Sequence, residues 1–431
     1  MFNKIIQYFW KIENKIAFYP SLIAIWGVIF ALLMVSAEQH GISDYLQEAL
    51  PVLVINDLAT ARVILSSLIG GLISILVFSF SMVMIILNQA SSNFSPRLLP
   101  GLISNKKHQS ILGIHLSGVF YCLITLISIE PTDKNYQLPG FSVLVAIIFI
   151  TVSLAAFIYF IHSISQSIQV DHILKSIFTT AKKRLELLIT YDEENKSLIE
   201  EDKQLNDTSD WHEYYSAHSG YIQTMRINNL LELIDQSNTV IRILPRKSTF
   251  LLKGIPIFKS KQKLDETTAE KFLDQFIIDD TESMSENYAL AFQLITEIAI
   301  KAMSPGINDP GTALTCIDYL TELLALRIKK SDRMLIGKNQ KLKVQINITP
   351  FDQLLYTILA PFRAYCSHDI IIVSKLLRMC DYLLQQECAN EQYKKAMKKQ
   401  AQNIISDAKK KLDNEDDLNN LKAEQQKFDK I

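Results

Sequence analysis

The sequence predicts an all-α membrane domain of four transmembrane helices, followed by a mixed α+β cytoplasmic domain with a small barrel-sandwich-like β module and a helical bundle. Three observations carry this expectation. Four apolar runs are each long enough to cross a bilayer core, for which about 20 helical residues suffice. Lys and Arg cluster in alternate connecting segments. Beyond residue 219 the continuous apolar runs give way first to period-two alternation and then to apolar residues spaced three and four apart. At 431 residues the chain has room for a membrane part and a second domain. The expected divisions are 1–162 for the spans, 163–205 for a helix leaving the membrane and a linker, and 206–282 for the β module. Residues 283–388 form the helical domain and 389–431 a charged tail, helical or disordered.

The first span covers residues 17–36. Val35-Ser36-Ala37 resembles a signal-peptidase site, but the preceding apolar run is longer than a typical signal core, so a retained span is expected. The second lies within Ala61–Leu99 and has no charged side chain from Val63 to Leu87. Within it Ser67, Ser74, Ser81, Asn88 and Ser95 recur every seventh residue, with Gly70, Gly71 and Ser92 beside that line. A seven-residue step drifts only about 20° on a straight helix, so these residues form a nearly axial polar stripe. Two readings stay open. Small residues let helices approach closely, with hydroxyls bonded to carbonyls one turn back. Alternatively, several copies of the stripe line a water-filled path. Arg62 is expected at the headgroups or paired with Asp57.

The third span is predicted at about 111–130, with His115 a turn or so inside it, and the fourth at about 141–162. His115 fits an interhelical histidine near the interface or, less readily, a proton relay. The N-terminus, the 90–109 loop and the segment after 170 are basic, whereas 37–61 and 130–140 are almost free of Lys and Arg. The positive-inside rule then places both termini in the cytoplasm of a multi-pass protein.

From Ser163 an amphipathic continuation of the fourth helix is expected, and residues 192–215 read as a linker. SGYIQTMRI and NTVIRIL read as strands flanking a short helix, NNLLELIDQS. STFLLKGIPIF reads as strand, turn at Lys253-Gly254, and strand. The helix over 284–303 stops at SPGINDPGTA and resumes as LTCIDYLTELLALRI. There Asp309 before Pro310 supplies a side-chain acceptor followed by a residue that lacks an N–H. A structural corner explains the segment, while Asn308 and Asp309 together are the candidates for holding a small ligand.

Several function classes fall away. A net charge of −1 and the lack of a basic stripe argue against nucleic-acid binding. Five cysteines, at 122, 316, 366, 380 and 388, have neither CxxC nor metal-ligand spacing, so no metal site or disulfide framework is expected. No nucleophilic triad motif, phosphate-binding glycine loop or HExxH occurs, which argues against an enzyme and against any cofactor. A coupled transporter would need intramembrane carboxylates or inverted repeats, and neither is present.

ARVILSSLIGGLISILVFSFSMVMIILNQASSNFSPRLL, HSGYIQ from His218 to Gln223, and SPGINDPGTA from Ser304 to Ala313 together resemble an uncharacterised family of predicted bacterial membrane proteins, domain of unknown function 2254. The likeness runs from about residue 17 to 388. The chain departs from it at Ser248-Thr249-Phe250, where Gly-Asp is usual before the aromatic, and at Asn287, where the family carries an acid. The resemblance implies a bacterial inner-membrane protein with a cytoplasmic domain and brings no activity with it. On the residues, the expected function is a homo-oligomeric channel-like protein. Its second span would line a path with Ser67, Ser74, Ser81, Asn88, Ser92 and Ser95, for an ion or small ligand. The alternative is a membrane-anchored sensor or scaffold whose cytoplasmic domain binds a partner or small ligand.

Overall fold

The computed structural model describes residues 17–43, 45, 55, 57–93, 106–129, 140–167, 169–194, 198, 208–246, 249–279, 287–338 and 341–430. The chain divides into an N-terminal unit, Met1–His172, and a C-terminal unit, Ile173–Ile431.

The N-terminal unit holds α1 (Phe18–Gln39), α2 (Leu58–Asn93), α3 (Lys106–Ile127) and α4 (Gly140–Ser167). Each of the four is long and apolar enough to cross a membrane. The most enclosed is α3, which packs on the other three. Glycine makes this closeness possible. A Cβ on Gly27 of α1 would stand 2.0 Å from the Ser117 Oγ, and one on Gly113 of α3 would stand 2.9 Å from Ile23. Aromatic rings fill the remainder: Tyr121 stacks on Phe30 and Phe149, each at 5.6 Å, and its hydroxyl donates to the Ser142 carbonyl at 3.0 Å.

A buried carboxylate ties the end of α1 to the start of α4. Glu38 Oε1 accepts from the Ser142 N–H at 2.7 Å and from the Ser142 hydroxyl at 2.8 Å, while Oε2 accepts from the Ser43 hydroxyl at 2.5 Å. The first N–H groups of a helix have no partner within it, so an acidic side chain there satisfies donors and opposes the helix dipole. Asp57 does the same for α2, accepting from the Thr60 N–H at 2.8 Å and from its hydroxyl. Arg62, expected at the headgroups or on Asp57, is exposed and donates to the Ile129 carbonyl at 3.4 Å.

The next helix, α5 (Val170–Glu194), starts shortly after α4 ends, and from Ile173 on it belongs to the C-terminal unit. Its apolar face, Ile173, Leu174, Ile177, Ala181, Leu185 and Leu188, is buried. There follow β1 (His212–Tyr215), β2 (Gly220–Met225), α6 (Ile227–Gln236), β3 (Ile241–Ile243), β4 (Phe250–Leu251), β5 (Pro256–Ser260), α7 (Glu266–Leu273) and β6 (Phe276–Asp279). The expected turn is present, with Gly254 at φ +84°. Gly220 sits at φ +149°, where a Cβ would come within 2.7 Å of Ile278, so the glycine of HSGYIQ is required by the close pairing of β2 with β6.

The strands form two sheets, one ordered β4-β2-β6 and the other containing two strands from far along the chain. Those two, β7 (Arg333–Lys338) and β8 (Lys341–Asn347), lie inside the stretch expected to be helical throughout. The larger sheet runs β1-β5-β3-β8-β7, with β3 and β8 parallel and the other pairs antiparallel. The alternation of buried Leu342, Val344 and Ile346 explains the hairpin: Val344 and Ile346 join Ile241, Ile243, Phe258, Phe272 and Phe276 in one core, and Leu342 packs with Leu198 and Leu335.

The remaining helices are α8 (Tyr288–Ala302), α9 (Pro310–Arg327), α10 (Phe351–Cys366), α11 (Ile370–Leu384), α12 (Gln392–Lys409) and α13 (Glu415–Lys430). Residues from 389 on are therefore largely helical. The first of these helices, α12, buries Tyr393, Met397, Ala401, Ile404 and Ile405 against α10 and α11, with its lysines outside the core.

Candidate functional site

The predicted stripe occupies one face of α2. Its inward line is Leu65, Leu72, Ser79 and Ile86, all buried. Ser67, Ser74, Ser81 and Asn88 each stand two residues further on, about 200° round the helix, and all four are exposed. The stripe thus points away from α3 and α4. Each serine hydroxyl donates to the carbonyl one turn back: Ser67 to Val63 at 2.8 Å, Ser74 to Gly70 at 2.8 Å and Ser81 to Val77 at 2.9 Å. No hydroxyl in this set needs water, which permits the face to meet lipid, another helix or a hydrated path. Gly70 has open space where a Cβ would be. Ser92 falls on the last turn of α2, and Ser95 lies outside the described residues. His115 is buried in α3, tilted against Phe157 at 6.5 Å, and neither ring nitrogen has a hydrogen-bond partner.

The second predicted pair lies between α8 and α9. The Asp309 N–H donates to the Ala302 carbonyl at 2.8 Å, which closes the turn. Its carboxylate accepts from the Thr312 N–H at 3.1 Å and from the Thr312 hydroxyl at 2.6 Å, so it caps α9. Those bonds, the hydroxyl first, hold the Asp309 carboxyl below its ordinary pKa. Asn308 precedes it at φ +49° and is exposed. Here Asp309 bonds to its own helix, and Asn308 permits the left-handed turn that brings it there.

A charge cluster went unforeseen. Arg327 at the end of α9 is fully buried, with its guanidinium carbon 6.0 Å from the ring centres of Tyr288, Phe351 and Tyr393. It donates to the Lys330 carbonyl at 2.8 Å, to Asp332 Oδ1 at 2.6 Å and to the Thr349 carbonyl at 3.0 Å. Asp332 also accepts from the Phe351 N–H at 3.0 Å, at the start of α10. Lys330, likewise buried, donates to Asp192 of α5 at 2.5 Å and to the Arg333 carbonyl at 2.8 Å. Burial pulls the Lys330 ammonium below its ordinary pKa, with the Asp192 carboxylate opposing that shift. Arg at a helix end and Asp five residues later are ordinary surface residues in sequence. The burial of Arg327 depends on aromatic rings from α8, α10 and α12.

Among the described residues no group of three or more His, Cys, Asp or Glu could hold a metal ion. Cys316, Cys366 and Cys380 are buried, and burial pushes the Cys380 thiol pKa up to about 12.

A family described as predicted membrane protein (DUF2254) matches residues 13–382. Two mycobacterial proteins, uncharacterized protein Mb1321c of Mycobacterium bovis and uncharacterized protein Rv1290c of Mycobacterium tuberculosis, are each 23% identical over 370 residues. The match spans 83% of this chain and 70% of the relative. No solved structure matches the chain.

Proposed function

From the premise that the chain belongs to the predicted membrane protein family DUF2254, we propose a homo-oligomeric, channel-like protein of the bacterial inner membrane. The α2 helices of several copies face a shared polar path. Both termini and the C-terminal unit lie in the cytoplasm, and the acidic outer loops enrich cations at the mouth. One observation carries the reading: Ser67, Ser74, Ser81 and Asn88 are exposed on the face opposite the intramolecular contacts of α2. A polar line turned away from its own bundle is suited to a second copy or to water, and Gly70 leaves room for close approach. The C-terminal unit then assembles or gates the path.

Single cysteines at 74, 81 and 88 in nanodisc-reconstituted protein carrying Cys388→Ser test this. Labelling by a membrane-impermeant thiol reagent at all three depths, in a protein that runs as an oligomer, is expected. A monomer in which none of the three reacts would replace the channel with the anchor reading.

A further inference from the structure

Among the described residues of the N-terminal unit, a polar layer separates two apolar clusters. On α2 the inward line places Leu72 in one cluster and Ile86 in the other, with Ser79 midway. On α3 Val119 and Ile111 belong to the same two clusters, and His115 stands four residues from each. On α4 the corresponding residues are Ala146 and Phe160, with Ser153 seven residues from each. Three mutually packed helices thus interrupt their apolar contact at one level. Aromatic rings and a glycine fix that register. Phe157 of α4 meets His115 at 6.5 Å and Phe78, the neighbour of Ser79, at 5.8 Å. About one turn beyond His115, a Cβ on Gly118 would stand 3.1 Å from Phe149 and 3.2 Å from Leu72.

Ser79, His115 and Ser153 are fully buried, and neither the serine hydroxyls nor the imidazole nitrogens have a hydrogen-bond partner within the protein. Other hydroxyls of the same helices behave differently. Ser67, Ser74 and Ser81 on the outer face of α2, and Thr151 on α4, each donate to the carbonyl one turn back. Ser79 and Ser153 make no such bond, which leaves their hydroxyls for a partner inside the layer. His115 lies nine residues into α3, about 13 Å along its axis, deep within a hydrocarbon core about 30 Å thick. Lipid offers no hydrogen bonds at that depth, and an unmet polar group there is costly.

The chemistry of the layer selects the partner. A neutral imidazole has one donor and one acceptor nitrogen, and each hydroxyl can act in either sense. The three helices carry no Asp, Glu, Lys or Arg over 63–87, 111–127 and 141–161, so nothing nearby would balance a bound ion. Water both donates and accepts, and a buried water makes about three bonds to groups that otherwise lack partners. We propose that this layer is an internal water-binding site, in which water bridges His115 of α3 to Ser79 of α2 and Ser153 of α4. The bound water gives His115 a proton-exchange partner in the middle of the bundle. The site lies within one chain, on the face of α2 opposite the exposed serines, and is independent of the number of copies.

The test uses the full chain in nanodiscs with isotope-labelled histidine and leucine, and reads magnetisation passed from water to side chains by solid-state NMR. The His115 ring signals are identified by their loss in His115→Gln. Transfer from water to the His115 nitrogens is expected to build up well ahead of transfer to the buried leucine methyls. Ser79→Ala/Ser153→Ala is expected to lose most of that transfer. Build-up at His115 no faster than at the leucine methyls would overturn the proposal, and so would undiminished transfer in the double variant. If the double variant does not reconstitute, the wild-type comparison decides alone. A monomer with a wet His115 would end the channel reading and leave this site standing, while a dry His115 in a labelled oligomer would do the reverse.

Discussion

The two units solve the same problem, a charged or polar group out of reach of water, in different ways. In the N-terminal unit the partners are local or at helix ends. Serine hydroxyls return to carbonyls four residues back, and the Glu38 carboxylate sits on the first N–H groups of α4. In the C-terminal unit charge meets charge: Lys330 reaches Asp192 on α5, far back along the chain, and Arg327 meets Asp332 five residues on while bonding the carbonyl of Thr349. The packing differs in parallel. Helices of the first unit approach through glycine, as Gly27 does against Ser117, whereas the second fills its core with rings such as Phe258, which stacks with Tyr214 at 4.8 Å. Within a bilayer, lipid tails match the apolarity of side chains, so close backbone approach replaces hydrophobic burial as the source of association. Outside it, water drives apolar collapse, and a buried charge persists only with its full set of partners.

The comparison can be broken most forcefully at Arg327. Arg327→Ala leaves Asp332 without its guanidinium and opens space among three rings. Asp332 keeps part of its hydration, so the cost comes mainly from the vacated space and the lost hydrogen bonds of the buried guanidinium, on the order of 2–5 kcal/mol, a large share of a domain's stability. Chemical denaturation followed by the near-ultraviolet signal of the C-terminal unit should show the loss, and an unchanged midpoint would mean that the cluster contributes little. Gly27→Val probes the other unit. Its Cβ would collide with Ser117, and overpacking costs about 1–3 kcal/mol, read as a lower unfolding temperature in detergent. Gly70→Val on the exposed face of α2 is the matched control, with no such collision in the single chain.

The smallest effect is expected at the corner between α8 and α9. Asp309→Ala removes a cap at a cost of about 0.5–2 kcal/mol, while Asp309→Asn costs less because asparagine caps nearly as well. The pH dependence has a definite sign. The folded-state pKa of Asp309 is depressed, so its stabilisation is complete above the ordinary carboxylate value and is lost as pH falls through the folded value. Wild-type protein should therefore lose this stabilisation on acidification, and Asp309→Asn should lack that acid limb in thermal melts taken over the same range. A limb of equal size in both would assign the acid sensitivity to other carboxylates.

Much of this architecture can be read directly from residue order. Continuous apolar runs mark the spans, alternation places β2 and β3, Lys253-Gly254 marks a turn, and Asp309-Pro310 marks a helix start. The heptad of Ser67, Ser74, Ser81 and Asn88 likewise follows from helix geometry alone. These features depend on neighbours within a few residues, where backbone periodicity and capping chemistry act. Tertiary structure decided the rest. The direction of the stripe was set by Leu65, Leu72 and Ile86, which compete for contact with α3 and α4. The hairpin of β7 and β8 became part of the sheet because Val344 and Ile346 complete a core begun a hundred residues earlier by Ile241 and Ile243. Arg327 and Lys330 acquired their settings only when α5, α8, α10 and α12 came together, since burial of a charge depends on what surrounds it and not on its place in the chain.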